Sequence, residues 1–293
     1  LNKNHFAQFV SLSVGPLIWW LIVHTESDPG KRGAAFGPST PRRFPGFVLT
    51  TILSASLGIV ITAIMISRAR GAFVALSVAL SPLTMMLYSR SLISRKQFSV
   101  VVGAAAMGVL LVGIVGHREI TRVSERLNNW DNNGRVQIWN ANLKVFSEFP
   151  VIGTGVGSHL YIHQRHLDRP FSTGQYTHAE SSYFQIATES GVLGLGVMLA
   201  CLATAFFWCF RGVRLSRNFT VTVALCCVTC SLLVSCIQSI SDFVWYIPGC
   251  MVPLILQIAC ACRLYQIEAD KQNGWQEKRI CHVPRPGVVC SML

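Results

Sequence analysis

The segment Thr177-His178-Ala179-Glu180-Ser181-Ser182 sets an imidazole and a carboxylate two residues apart, shortly before the run Ile186 to Gly196. Either group can take a proton from a hydroxyl, but on different terms. An unperturbed imidazole titrates near about 6.5 and a glutamate carboxyl near about 4.3. His178 is therefore a ready base around neutral pH, whereas Glu180 becomes a comparable one only where desolvation raises it. Ser182 and Gln185 have the spacing of a capping box, which puts both candidates at the mouth of a helix. Ionisable groups are costly beside lipid, so residues held there are functional candidates by default.

Candidate cations lie in two places. Arg68 and Arg70 sit in Ser67-Arg68-Ala69-Arg70-Gly71, a short turn between two apolar runs. Guanidinium groups fixed there suit two-pronged recognition of a phosphate, and they equally suit snorkelling to lipid headgroups. Arg135 opens the run to Phe149, in which Ile138, Trp139, Leu143, Val145, Phe146 and Phe149 recur at helical spacing until Pro150 stops it. This pattern predicts an amphipathic helix that lies on the membrane or caps a bundle. Gly153-Thr154-Gly155-Val156-Gly157 reads as a tight turn, since it lacks the Lys-Ser/Thr of a phosphate loop and the strand that precedes a dinucleotide site. His159, His163 and His166 cluster next, but no carboxylate or cysteine stands at a ligand spacing, so no metal site is expected. Upstream, Arg118, Arg122 and Arg126 recur every four residues beside Ile120, Val123 and Leu127, as on a helix with a solvated face.

The elements that hold these groups follow from composition. Of the 293 residues 51% are hydrophobic and only 13% charged, against about 25% charged in a soluble domain. This excludes a soluble globular enzyme and, with its low charge density, a disordered chain. Seven apolar stretches have the length of about 20 residues that a membrane crossing needs. They are residues 6–24, 47–67, 72–88, 99–116, 191–210, 219–241 and 243–262, the last two parted by a reversal near Asp242 with Pro248 and Gly249 close by. The expected fold class is an all-α polytopic transmembrane bundle with one long, partly helical loop. Its expected parts are four crossings in 1–116, the loop in 117–190, three crossings in 191–262 and a basic tail in 263–293.

Charge distribution orients the bundle. Fifteen of the 25 Lys and Arg fall in segments 25–46, 89–98, 211–218 and 263–293, against Lys3, Arg68 and Arg70 in the short segments opposite. The positive-inside rule then predicts an external amino terminus, an external loop 117–190 and a cytoplasmic tail. The net charge of +12 is explained by this bias, and no nucleic-acid partner is expected. Nine of the eleven cysteines lie in apolar stretches and read as small buried hydrophobes.

Taken in order, several motifs resemble those of the membrane-embedded O-antigen ligase and polymerase superfamily. Asn2-Lys3-Asn4-His5-Phe6-Ala7 is similar to its Asn-x-Asn-His-x-Ala start of a crossing, and Ser67 to Phe73 to its Ser-Arg-Gly-Ala turn. Gly134-Arg135-Val136-Gln137-Ile138-Trp139, with Phe149-Pro150-Val151-Ile152-Gly153-Thr154-Gly155-Val156-Gly157, resembles its loop signature. Tyr183-Phe184-Gln185 with Glu189-Ser190-Gly191-Val192-Leu193-Gly194 resembles its Tyr-Leu-Gln and Glu-x-Gly-x-x-Gly, and Gln238 to Phe243 its Ser-x-x-Asp-Phe hairpin. Members have about a dozen crossings, so the chain is expected to correspond to the later part of a longer protein. The family places a His nine residues before the Glu of Glu-x-Gly. Nine before Glu189 stands Glu180, with His178 two residues earlier.

The resemblance implies an integral protein of the bacterial inner membrane with its long loop periplasmic, acting in cell-envelope polysaccharide or lipopolysaccharide synthesis. It implies glycosyl transfer, without metal or cofactor, from a polyprenyl-diphosphate-linked glycan to a hydroxyl on a lipid, glycan or protein acceptor. In that reaction Arg70, Arg68 and Arg135 would bind the diphosphate, His178 or Glu180 would act as base, and Tyr183 and Asp242 would position the acceptor. Polymerase chemistry, a non-catalytic lipid-glycan transporter subunit and an inactive fragment are the alternatives.

Overall fold

The computed structural model of the chain describes residues 2–25, 46–67, 69–91, 134–167 and 177–272, with scattered positions between 95 and 110. Among these the architecture is all-helical. Three long helices, α1 (Lys3–Thr25), α2 (Gly46–Ile66) and α3 (Arg70–Ser89), precede the loop helices α4 (Gly134–Glu148) and α5 (His159–Ile162). The long helices α6 (Ser182–Leu215), α7 (Phe219–Gln238) and α8 (Pro248–Gln272) follow. Among the described residues six helices, all but α4 and α5, are long and apolar enough to cross a membrane. The expected crossing 99–116 falls mostly outside the described residues, as do the arginine-bearing segment 118–127 and residues 273–293 of the tail.

The bundle is organised around α7. Asn218 caps it, its Oδ1 accepting the amides of Thr220 and Val221. Val223, Leu225, Cys226, Cys227, Cys230, Leu232 and Val234 are all buried there, among helices α1, α3, α6 and α8. The cysteines of the described residues are free thiols, and those on α7 serve as small core side chains, Cys236 being only partly covered.

α1 lies against α7 at Gly15, where a Cβ would come within 2.6 Å of Ser231 Oγ and 2.7 Å of the Cys227 carbonyl oxygen. Small residues let transmembrane backbones approach in this way. The Trp19 indole donates to Thr220 O (3.0 Å), and Gln257 of α8 donates to Leu12 O (2.9 Å). These long-range bonds fix the register of α1, and with it the position of His5 at its first turn.

The reversal near Asp242 is present. α7 ends at Gln238, one short 3-10 turn spans Val244–Tyr246, and Pro248 opens α8. There its missing N–H is no loss, because the first amides of a helix have no partner within it.

Candidate active site

One end of the bundle collects the polar side chains. It is formed by the first turn of α1, the start of α3, loop residues 134–167 and 177–190, and the hairpin 239–247.

The start of α6 is bolted to that hairpin. Ser182 N–H donates to the carbonyls of Ser239 and Asp242 (3.0 Å each), and Ser182 Oγ donates to Asp242 O (3.0 Å). Ser181 Oγ donates to Ser239 O (3.3 Å) and Trp245 N–H to Ser182 Oγ (3.4 Å). The capping box expected from Ser182 and Gln185 does not form. Ser181 is the N-cap, without a side-chain cap bond, and the hairpin's carbonyls take the Ser182 amide and hydroxyl instead. Gln185 Oε1 accepts the Ala179 amide (3.3 Å), while its Nε2 donates to Glu189 Oε1 (3.2 Å).

Further along, α6 kinks at Gly191, whose backbone (φ 63°, ψ −164°) is not helical. The loop segment after α4 crosses this kink. Val192 N–H donates to Pro150 O (2.8 Å), Leu193 N–H to Val151 O (3.3 Å), Thr154 N–H to Thr188 O and Gly155 N–H to Glu189 O (2.9 Å each). Gly153, Gly155 and Gly157 all have positive φ, in keeping with a turn. Gly153 and Gly191 also let the two backbones touch. A Cβ on Gly153 would lie 2.5 Å from the Glu189 carbonyl carbon, and one on Gly191 2.2 Å from Val151 O. The two glycine motifs thus form a clamp that joins loop to crossing helix and holds Glu189 in place.

Around this frame the His178 ring stacks on Phe243 (centroids 4.0 Å apart, interplanar angle 7°), edge-on to Tyr246. Thr177 Oγ1 is 2.8 Å from His178 Nδ1. Burial lowers the His178 pKa; nearby Glu189 opposes that shift, and His5 adds to it. His5 Nε2 lies 3.3 Å from Asp242 Oδ1, and the His5 ring meets Phe243 edge-on at 4.7 Å. Asp242 is 2% exposed; its Oδ1 accepts the Phe243 amide (2.8 Å) and its Oδ2 has no hydrogen-bond partner among the described residues. Tyr246 donates to Glu189 Oε2 (3.2 Å).

Glu180 stands near enough for the charges of Asp242 and His5 to act on it, but its ion-pair partner is Arg135. Its left-handed backbone (φ 53°) turns the chain, and its carboxylate pairs with Arg135 Nη2 at 3.3 Å. Burial pushes the Glu180 pKa above the ordinary carboxylate range, and Arg135 restrains the rise.

α4 carries Arg135 and buries Ile138, Ala141 and Val145, while the Trp139 indole donates to Ala179 O (3.1 Å). Tyr183 packs edge-on to Trp245, and its hydroxyl donates to Cys236 O (3.1 Å). Arg68 lies outside the described residues. The backbone of Arg70 opens α3 beside Gly71, whose Cβ position would be 3.4 Å from Ser241 Oγ, so that turn abuts the hairpin.

His159 and His163 stack at 4.4 Å and His166 Nε2 is 2.9 Å from Glu148 Oε1. Burial, reinforced by His163, lowers His159 to about 3. Among the described residues no three His, Cys, Asp or Glu converge to hold a metal ion.

Of the residues singled out from sequence, the fold thus stacks His178 on Phe243, next to Asp242, and pairs Glu180 with Arg135. The motifs alone assign no role to His5, Glu189 or Tyr246. The first two stand in motifs visible in the sequence, whereas Tyr246 carries no sequence signal and is found only by its bond to Glu189.

The family model described as O-antigen ligase matches residues 55–199, about half of the chain, covering the Ser67–Phe73 turn, loop helix α4 and the clamp. No curated protein matches the chain. His5 and Asp242 lie outside the matched segment, and the packing of α1 and α7 carries them to it. With six membrane-length helices and this match, the chain is an integral membrane protein of the O-antigen ligase-like superfamily, a group of membrane glycosyltransferases.

Proposed function

We propose that the chain transfers a glycan from a polyprenyl-diphosphate carrier to a hydroxyl of a lipid, glycan or protein acceptor. The reaction runs on the external face of the bacterial inner membrane and needs no metal ion. The observation that supports this reading is the gathering, at one end of the bundle, of the half-buried His178 imidazole, the His5–Asp242 pair and the Glu180–Arg135 pair.

This reading takes the tautomer in which His178 Nδ1–H donates to Thr177 Oγ1, 2.8 Å away, and the Nε2 lone pair takes the acceptor's hydroxyl proton. The acceptor oxygen then bonds to the anomeric carbon of the donor sugar. The bond from that carbon to the diphosphate oxygen breaks, and the electron pair leaves with the polyprenyl diphosphate. Arg135, together with Arg70 and Arg68, stabilises the charge that develops on the leaving group. Asp242, held by His5, orients the acceptor. Tyr183 is assigned to the packing of α6 on α7 in place of the acceptor role that the family resemblance implies, because its hydroxyl already bonds the Cys236 carbonyl.

Two features support His178 over Glu180 as base. Its ring stands among Phe243, Tyr246 and the charges of Glu189 and Asp242, and its lowered pKa keeps it unprotonated at neutral pH. Glu180 is engaged by Arg135. The test is the pH dependence of transfer from a lipid-linked glycan by the His178→Ala and Glu180→Gln variants in vesicles. His178→Ala should lose turnover by about 100-fold or more, the usual contribution of a general base. Loss confined to Glu180→Gln would assign the base to Glu180, and full activity in both would end base catalysis by this motif. Use of a second carrier-linked glycan as acceptor would make the same chemistry that of a polymerase.

A further inference from the structure

Phe149, Val151, Ile152, Val156 and Tyr161 are exposed, although they belong to none of the membrane-length helices. Val156 is 86% exposed, and Ile152 and Tyr161 are each 73% exposed. Large apolar side chains exposed together along one segment mark an interaction surface. Their depth in the membrane follows from the clamp. The bonds from Val192 to Pro150 O and from Leu193 to Val151 O tie this loop to the first turn after the Gly191 kink. That turn starts the apolar half of α6, where Val192, Leu193 and Val197 are themselves exposed. From Val192 to the residue before Arg211 the helix is about 28 Å long at about 1.5 Å per residue. The hydrocarbon core is about 30 Å thick. With Arg211 just beyond one boundary, Val192 lies at the other, and Val151 and Ile152 lie there with it.

We propose that loop 149–161 is seated in the lipid leaflet that borders α6, with Val151, Ile152 and Val156 reaching the acyl-chain boundary and Tyr161 in the headgroup zone. Lipid, rather than a protein partner, is assigned as the occupant because the backbone bonds set the segment beside Val192 and Leu193, where the exposed apolar run of α6 begins. Tyrosine suits the interfacial belt, where its ring is partly apolar and its hydroxyl is wet. The seated loop fixes the height of the Gly153–Gly191 contact above the bilayer centre, and so the height of Glu189. The proposal rests on burial and backbone bonding alone and does not depend on the catalytic roles assigned above.

A diazirine-bearing amino acid placed at Ile152 or Val156 of the full chain tests it, in phosphatidylethanolamine and phosphatidylglycerol vesicles containing an alkyne-tailed lipid. Both positions are exposed, so neither change disturbs the core. Illumination should give lipid adducts at 152 and 156 in yields like those at Leu193 and several-fold above those at Gln164, an exposed polar position in the same loop. Yields at 152 and 156 no higher than at Gln164 would overturn the proposal. Adducts formed mainly with another part of the chain, or with a second copy of it, would overturn it as well.

Discussion

Replacing Gly191 by alanine acts on the contact that joins the loop to the crossing helix. The new Cβ would stand 2.2 Å from Val151 O and 2.3 Å from its carbonyl carbon, where real Cβ contacts are not found under 3.0 Å. The two backbones must part by close to 1 Å (about the difference), which breaks the bonds from Val192 to Pro150 and from Leu193 to Val151. Alanine at φ 63° and ψ −164° adds strain of about 1–3 kcal/mol, since that region is essentially reserved for glycine. Two lost hydrogen bonds at about 1 kcal/mol each bring the local destabilisation to about 3–5 kcal/mol. At about 1.4 kcal/mol per tenfold, amide protection in 150–155 and 188–193 should fall by at least about 100-fold. Hydrogen exchange read by mass spectrometry in vesicles measures this. Gly196→Ala is the control, because its Cβ would enter open space in regular helix, and it should leave protection unchanged or slightly raised. Wild-type protection in Gly191→Ala, or equal damage from Gly196→Ala, would refute the clamp.

Arg135→Ala and Arg70→Ala should each lower transfer by about 100-fold or more if the guanidinium groups hold the leaving diphosphate. Lysine at either site should restore only part, since a point charge lacks the planar two-pronged contact. Near-normal turnover in both alanine variants would remove them from the mechanism. Cysteines introduced into residues 211–218 should resist an impermeant thiol reagent added outside, while cysteines in loop 134–167 react; the opposite pattern inverts the orientation. For His159, lowered to about 3 from about 6.5, the unfolded state binds more protons between those values, so stability falls as pH falls through that window. From pH 8 to pH 5 (about 1.5 units into the window) the loss is about 2 kcal/mol. His159→Phe should flatten that pH dependence, measured as amide protection in 159–166 after correction for intrinsic exchange, and a steep dependence surviving the change would refute it.

Much of the bundle was legible because lipid makes local pattern decisive. A run of about 20 apolar residues in hydrocarbon must satisfy its backbone internally, so it is helical whatever its neighbours do. The same local logic located the reversal at Asp242, the stop at Pro150 and the turn at Gly153 to Gly157, and the motif order pointed to the family. The failed capping box shows where local pattern stops. Ser182 and Gln185 have the right spacing, but Ser182 bonds the carbonyls of Ser239 and Asp242, partners that exist only once α6 meets the hairpin, and Gln185 turns to Ala179 and Glu189. His5 and Asp242 stand far apart in sequence, and nothing local to either names the other. They meet because Gly15 lets α1 close on α7 in one register. Glycine patterns likewise announced turns but not that Gly153 and Gly191 face each other's backbones. Sequence by itself determined which segments are helical and which residues can do chemistry; packing decided which of those residues share a site, because long-range pairing is set by how helix surfaces fit.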